Sequence, residues 1–106
     1  MDRTKDALLD DLKTVLLRLA KEHDVRAAYV FGSYATGSPG EHSDVDVAIV
    51  LGRIRDGSPF DERFEIFHEL QQHNSLFEVV CFQETEFTKG DEELIRRIER
   101  EGIRIL

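Results

Sequence analysis

Residues 31–47 read FGSYATGSPGEHSDVDV, and this stretch decides the fold. Its first residue closes a run, residues 25–31 (VRAAYVF), that is short and rich in β-branched and aromatic residues and therefore reads as a strand. Residues 32–43 are crowded with Gly, Ser and Pro, which marks a loop with room for one helical turn at its start. Residues 44–51 (DVDVAIVL) open with two carboxylates and continue as a second, strongly apolar strand. Upstream, Leu8, Leu12, Val15, Leu16 and Leu19 recur at helical spacing and predict an amphipathic helix over about residues 4–22. Downstream, Ser58 as cap, Pro59 at the first helical position and Asp61 three residues after the cap predict a helix start. Phe60, Phe64, Phe67 and Leu70 are expected on its inner face. Residues 76–82 (LFEVVCF) read as a third strand, and residues 91–101 as a last helix with Leu94, Ile95 and Ile98 inward and Gly102 as its stop. Ile103 and Ile105 suggest a short final strand. Strands that alternate with helices predict one α/β (α+β) domain over residues 1–106, a small mixed sheet with helices packed on it.

The bulk properties agree and narrow the function classes. A chain of 106 residues fits a single core and leaves little room for a separate substrate-binding domain. Cys81 is the only cysteine, which excludes an internal disulfide and a thiolate zinc site, and its apolar surroundings predict a buried core residue. The formal net charge of -8 argues against strong nucleic-acid binding, which needs a positive surface to neutralise phosphates. No apolar run approaches bilayer length, and residues 1–6 (MDRTKD) lack the apolar stretch of a signal peptide, so no membrane association and a cytoplasmic location are expected.

The chemistry concentrates in three places. Asp44 and Asp46 alternate on a strand, so they project to the same side, about 6.6 Å apart along it. At that distance two carboxylates repel by about 2.5 kcal/mol at an effective dielectric of 20. No Lys or Arg occurs between Ala27 and Gly52 to neutralise them. A divalent cation would, and hard oxygen ligands suit magnesium; a solvated strand end is the alternative. Gly32 and Ser33 follow directly on a strand, where glycine lets the backbone approach a ligand and successive N–H groups can hold phosphate oxygens; a plain turn is the alternative. A Walker-type phosphate loop is excluded, because Ser38-Pro39 stands where Lys-Ser/Thr is required. Glu78 is a charge in the middle of an apolar strand, costly unless ligated, paired or at an edge. Beside Asp44 and Asp46 it would complete a three-carboxylate set suited to two metal ions; an edge-strand charge that limits aggregation is the alternative.

Phe31-Gly32-Ser33-Tyr34-Ala35, Gly37 and Ser43-Asp44-Val45-Asp46-Val47 together resemble the signature of the DNA polymerase β-like nucleotidyltransferases, and more closely their minimal (MNT) branch. Ten residues separate Ser33 from Asp44, and the ending Ile98-Glu99-Arg100-Glu101-Gly102-Ile103 is also similar to that branch. The resemblance implies that Gly32 and Ser33 bind the triphosphate and that Asp44 and Asp46 ligate Mg2+. It also puts Glu78 in the place of the third acid, which ligates the catalytic metal and assists deprotonation of the acceptor. Thr36 stands where the family often has Arg, and Glu78 is one methylene longer than the usual Asp. The function implied is transfer of a nucleoside monophosphate, AMP from ATP, to a hydroxyl acceptor, with a HEPN-domain toxin as partner and its tyrosine as acceptor. A degenerate nucleotide-binding or toxin-capping module, and a small-molecule transferase of the aminoglycoside type, are the competing readings.

Overall fold

The computed structural model describes residues 3–36, 44–53 and 59–106. The Ser58 cap, His42 and the rest of residues 37–43, and the Thr36 side chain lie outside the described residues. The elements run α1 (Arg3–Glu22), β1 (Val25–Phe31), α2 (Ser33–Thr36), β2 (Val45–Leu51), α3 (Pro59–His73), β3 (Phe77–Gln83), α4 (Glu84–Lys89), α5 (Glu93–Glu101) and β4 (Ile103–Arg104).

Strand β2 organises the sheet because almost every residue in it is apolar on both faces. A strand of that composition is stable only in the middle of a sheet covered on both sides. The sheet order is β3-β2-β1-β4, with β2 and β1 inside and β3 and β4 at the edges. Strand β1 pairs antiparallel with β2 and with β4, whereas β2 and β3 run parallel, so the sheet is mixed as expected.

Alternation along each strand sorts the side chains into two cores. Val45, Val47, Ile49 and Leu51 of β2, with Ala28 and Val30 of β1 and Phe77 and Cys81 of β3, pack against Leu12, Val15, Leu16 and Leu19 of α1 and Ile66 and Leu70 of α3. The opposite face carries Ala27, Phe31, Ala48, Val50 and Phe82, and is covered by Phe87 of α4 and Ile95 and Ile98 of α5. Among the described residues the result is three layers, with α1 and α3 on one side of the sheet and α4 and α5 on the other. Among the described residues no helix is long and apolar enough to cross a membrane.

Two expectations change. The inner face of α3 is Glu62, Ile66 and Leu70, not Phe64 and Phe67, which are 58% and 40% exposed; the Phe60 side chain is outside the described residues. The three inner residues share one stripe at i, i+4 and i+8. Glu62 can occupy it because its carboxylate meets His23 at the end of α1, Oε1 to Nδ1 3.0 Å, with both side chains buried. Second, residues 84–89 form a helix that hydrophobic periodicity does not announce. The Gln83 N–H donates to Glu86 Oε1 at 3.0 Å, an N-terminal cap made from inside the helix, and Arg63 holds the same oxygen at 2.7 Å. These contacts, the backbone N–H first, keep the Glu86 carboxyl below its ordinary value. Phe87 anchors the helix by stacking on Tyr29, with centroids 5.4 Å apart, and Gly90 ends it with φ +64°. The spacing Gln83-x-x-Glu86 before a single aromatic was the available signal.

Candidate active site

The acidic residues gather at one end of the sheet. There β1 finishes while β2 and β3 begin. Asp46 is the second residue of β2, and Asp44 lies just before the strand. In the parallel register Asp46 stands directly beside Glu78, the second residue of β3. By alternation Asp46 shares its face with Ala48 and Val50, and Glu78 shares its face with Val80 and Phe82. The carboxylates therefore lie on the side of the sheet that α4 and α5 cover, where the helices leave the strand beginnings open. Asp44 and Glu78 are exposed and Asp46 is half-buried.

Gly32 closes the site from β1. Phe31 pairs with Asp46 across the antiparallel ladder, so the next residue turns beside the Asp46 carboxylate. Gly32 has φ +71°, and a Cβ placed on it would collide with Asp46 Oδ2. The conformation and the contact both demand glycine. Its carbonyl accepts from the Ala35 N–H at 3.1 Å, which starts the single turn of α2, with half-buried Ser33 at its head. Tyr34 packs into the core beneath.

The electrostatics follow from this crowding. Burial pushes the Asp46 carboxyl above its ordinary value; the charges of Asp44 and then Glu78 push it the same way, and Arg97 of α5 opposes them. Sequence reasoning did not mark Arg97, because only the packing of the last helix brings it to this end of the sheet. The other candidate reactive side chains among the described residues lie elsewhere. Burial pushes the Cys81 thiol up to about 12, in keeping with its place in the core. His23 meets Glu62, His73 meets Asp11 at 2.7 Å, and His68 stacks on Phe64.

Asp46 and Glu78 side by side on one face, with Asp44 just before the strand and its charge also raising Asp46, match a divalent cation in chemistry. Among the described residues no three His, Cys, Asp or Glu side chains already close on a common point. Such a cation would withdraw charge from the oxygens of an anionic ligand held there.

A family model described as polymerase beta, nucleotidyltransferase matches residues 13–106. No curated protein matches the chain. Among solved structures, a Sulfolobus solfataricus protein provisionally assigned as a nucleotidyltransferase has 18% identity and a TM-score of 0.64, over 94% of this chain and 80% of that one. A toxin–antitoxin structure with AMP-PNP has 19% identity and a TM-score of 0.62, over 89% of this chain and 72% of that one. A complex of tri-AMPylated HEPN toxin with MNT antitoxin from Shewanella oneidensis has 15% identity and a TM-score of 0.54, over 89% of this chain and 68% of that one. At these identities the likeness is one of fold.

Proposed function

The chain belongs to the polymerase beta nucleotidyltransferase family, and from that premise we propose that it transfers AMP from ATP to a hydroxyl of a partner protein, a tyrosine of a HEPN-type toxin, and acts as that toxin's antitoxin. The observation that carries this reading is the lateral pairing of Asp46 with Glu78 beside Gly32, with Asp44 just before the strand. The reaction forms a bond from the acceptor oxygen to the α-phosphorus and breaks the bond from that phosphorus to the bridging oxygen, releasing pyrophosphate. Glu78, the most exposed strand acid, takes the acceptor proton. Asp44 and Asp46 would hold Mg2+, Glu78 would help ligate the catalytic metal ion, and Gly32 and Ser33 would cradle the triphosphate. The HEPN partner and AMP as the transferred group are supported by the solved complexes of similar fold.

Calorimetric titration of ATP with Mg2+, repeated with EDTA and with the Asp44→Asn/Asp46→Asn variant, tests the site. Metal-dependent binding that disappears in the variant supports it; binding unchanged in the variant removes these residues from the proposal. Glu78 in place of the usual Asp favours one competing reading, a capping module that binds its toxin without turnover. Incubation with labelled ATP and a HEPN protein separates the two, since only the enzyme leaves label on the partner.

A further inference from the structure

Strand β3 lies at the edge of the sheet: β2 pairs with one side of it, and no described strand pairs with the other. Successive residues of a strand direct their N–H and C=O groups to opposite edges. The Val45 N–H donates to the Leu76 carbonyl at 2.7 Å, so Leu76, Glu78, Val80 and Phe82 face β2, while Phe77, Val79, Cys81 and Gln83 face outward. Both ends of that outward row are closed. Gln71 Nε2 donates to the Phe77 carbonyl at 2.6 Å, and the Gln83 N–H donates to Glu86 Oε1 at 3.0 Å. Between them, the N–H and C=O groups of Val79 and Cys81 meet no hydrogen-bond partner among the described residues. Beside this gap, Val79, Cys81, Arg63 and the exposed rings of Phe64 and Phe67 line a groove of about 300 Å3. Two buried donors of the same edge, Arg63 Nε and Gln83 Nε2, also lack a partner. Open backbone groups next to exposed apolar side chains are a template for one more strand.

The position of the gap and its charge say which strand. Val79 and Cys81 turn their side chains to the groove, and Glu78 turns to the opposite face, beside Asp46. An added strand alternates in the same way. Its residues next to Val79 and Cys81 enter the groove, and its residue next to Glu78 lands on the face of the acids, with Cβ atoms about 4.5–5.5 Å apart. Glu78 and Glu84 expose carboxylates at the two ends of the gap, and the chain carries a net charge of -8. A second copy is repelled there, and a neutral or basic segment is favoured. We propose that the open edge at Val79 and Cys81 docks an extended segment of the acceptor protein as a fifth strand, with its apolar side chains against Phe64 and Phe67 and its hydroxyl beside Glu78. This rests on the transferase reading of Glu78.

The test uses the HEPN-type toxin of the proposed reaction as acceptor, with the wild type, Val79→Pro, Phe64→Ala/Phe67→Ala and, on the opposite edge of the sheet, Ile103→Ala. Proline at position 79 removes an outward donor and leaves the bonds to β2 in place. Thermal melts verify folding, and the double phenylalanine variant carries the test alone if Val79→Pro does not fold. The toxin is expected to slow hydrogen exchange at the Val79 and Cys81 amides at least tenfold. KM for the toxin in transfer of labelled AMP should rise at least tenfold in Val79→Pro and Phe64→Ala/Phe67→Ala, with Mg2+–ATP affinity and the Ile103→Ala variant within twofold of wild type. AMP transfer with both amides unprotected, or with KM unchanged in the edge variants, would overturn the docking edge alone. Protection of the amides without any transfer would sustain the edge and retire the transferase reading. Protection that grows with the concentration of this chain alone, with a dimer in sedimentation, would assign the edge to a second copy and overturn the proposal.

Discussion

Gly32 and Asp46 are best understood as one contact. The glycine turns with φ +71° where any Cβ would strike the Asp46 carboxylate. Gly32→Ala is therefore expected to cost about 1–2 kcal/mol from the left-handed backbone alone, read by urea denaturation, and to displace Asp46 so that ATP affinity falls. Wild-type stability and affinity in that variant would show that the turn relaxes freely. Asp46 itself has a pH signature. Its carboxyl sits above the ordinary value in the folded protein, mainly through burial and then the charges of Asp44 and Glu78. The folded state therefore keeps the proton longer than the unfolded chain as pH rises, and stability drops through that interval. In EDTA, Asp46→Asn should melt above the wild type at neutral pH, and the difference should vanish below the carboxylate range, near about pH 3. A constant difference at all pH values would mean that the ionised carboxylate is not strained. The acids themselves were legible in the sequence because a carboxylate within an apolar strand stands out. The influence of Arg97 on Asp46 was not, since nothing in the sequence of an amphipathic helix says which distant group its charges will reach.

The elements divide in the same way between the readable and the hidden. Strand β2 and helix α1 announce themselves because their burial pattern is the pattern of their sequence. Helix α3 misleads. Its aromatics suggest an inner face through Phe64 and Phe67, while the structure turns Glu62, Ile66 and Leu70 inward and leaves the two rings exposed. Apolar content cannot reveal a buried carboxylate whose partner, His23, comes from another helix. Substitution on the two faces distinguishes the arrangements. Ile66→Ala is expected to cost about 2–5 kcal/mol and Glu62→Ala about 2–4 kcal/mol, because the latter strands His23 in the interior. Phe64→Ala should change stability by less than about 0.5 kcal/mol. A larger loss for Phe64→Ala than for Ile66→Ala in chemical denaturation would mean that α3 is rotated relative to the description above. Helix α4 was hidden for a different reason: six residues with one buried aromatic carry no periodicity, and its stability comes from Gln83, Glu86 and Arg63 acting together.

At the scale of the whole molecule, the mixed sheet was predictable from alternating strands and helices, but the strand order was not. No local pattern says that residues 77–83 lie parallel to β2 rather than beside β4, and the position of Glu78 depends on that choice. The same topology sets a sequence of events. Strands β1 and β2 are consecutive and antiparallel, so they can pair early, bringing Gly32, Asp44 and Asp46 together. Strand β3 is parallel to β2 and reaches it only by a crossover through α3, so Glu78 joins after that helix has docked through Ile66 and Leu70. A ligand that needs all of these groups recognises only the finished molecule and is absent from the folding transition state. Magnesium and ATP should accordingly raise the melting temperature and slow unfolding, with the refolding rate unchanged in stopped-flow measurements; faster refolding would mean that β3 is in place before the barrier is crossed. The parallel edge strand thus acts as a clasp: it fastens after β1 and β2 have paired, and its opening is the step that occupancy of the site delays.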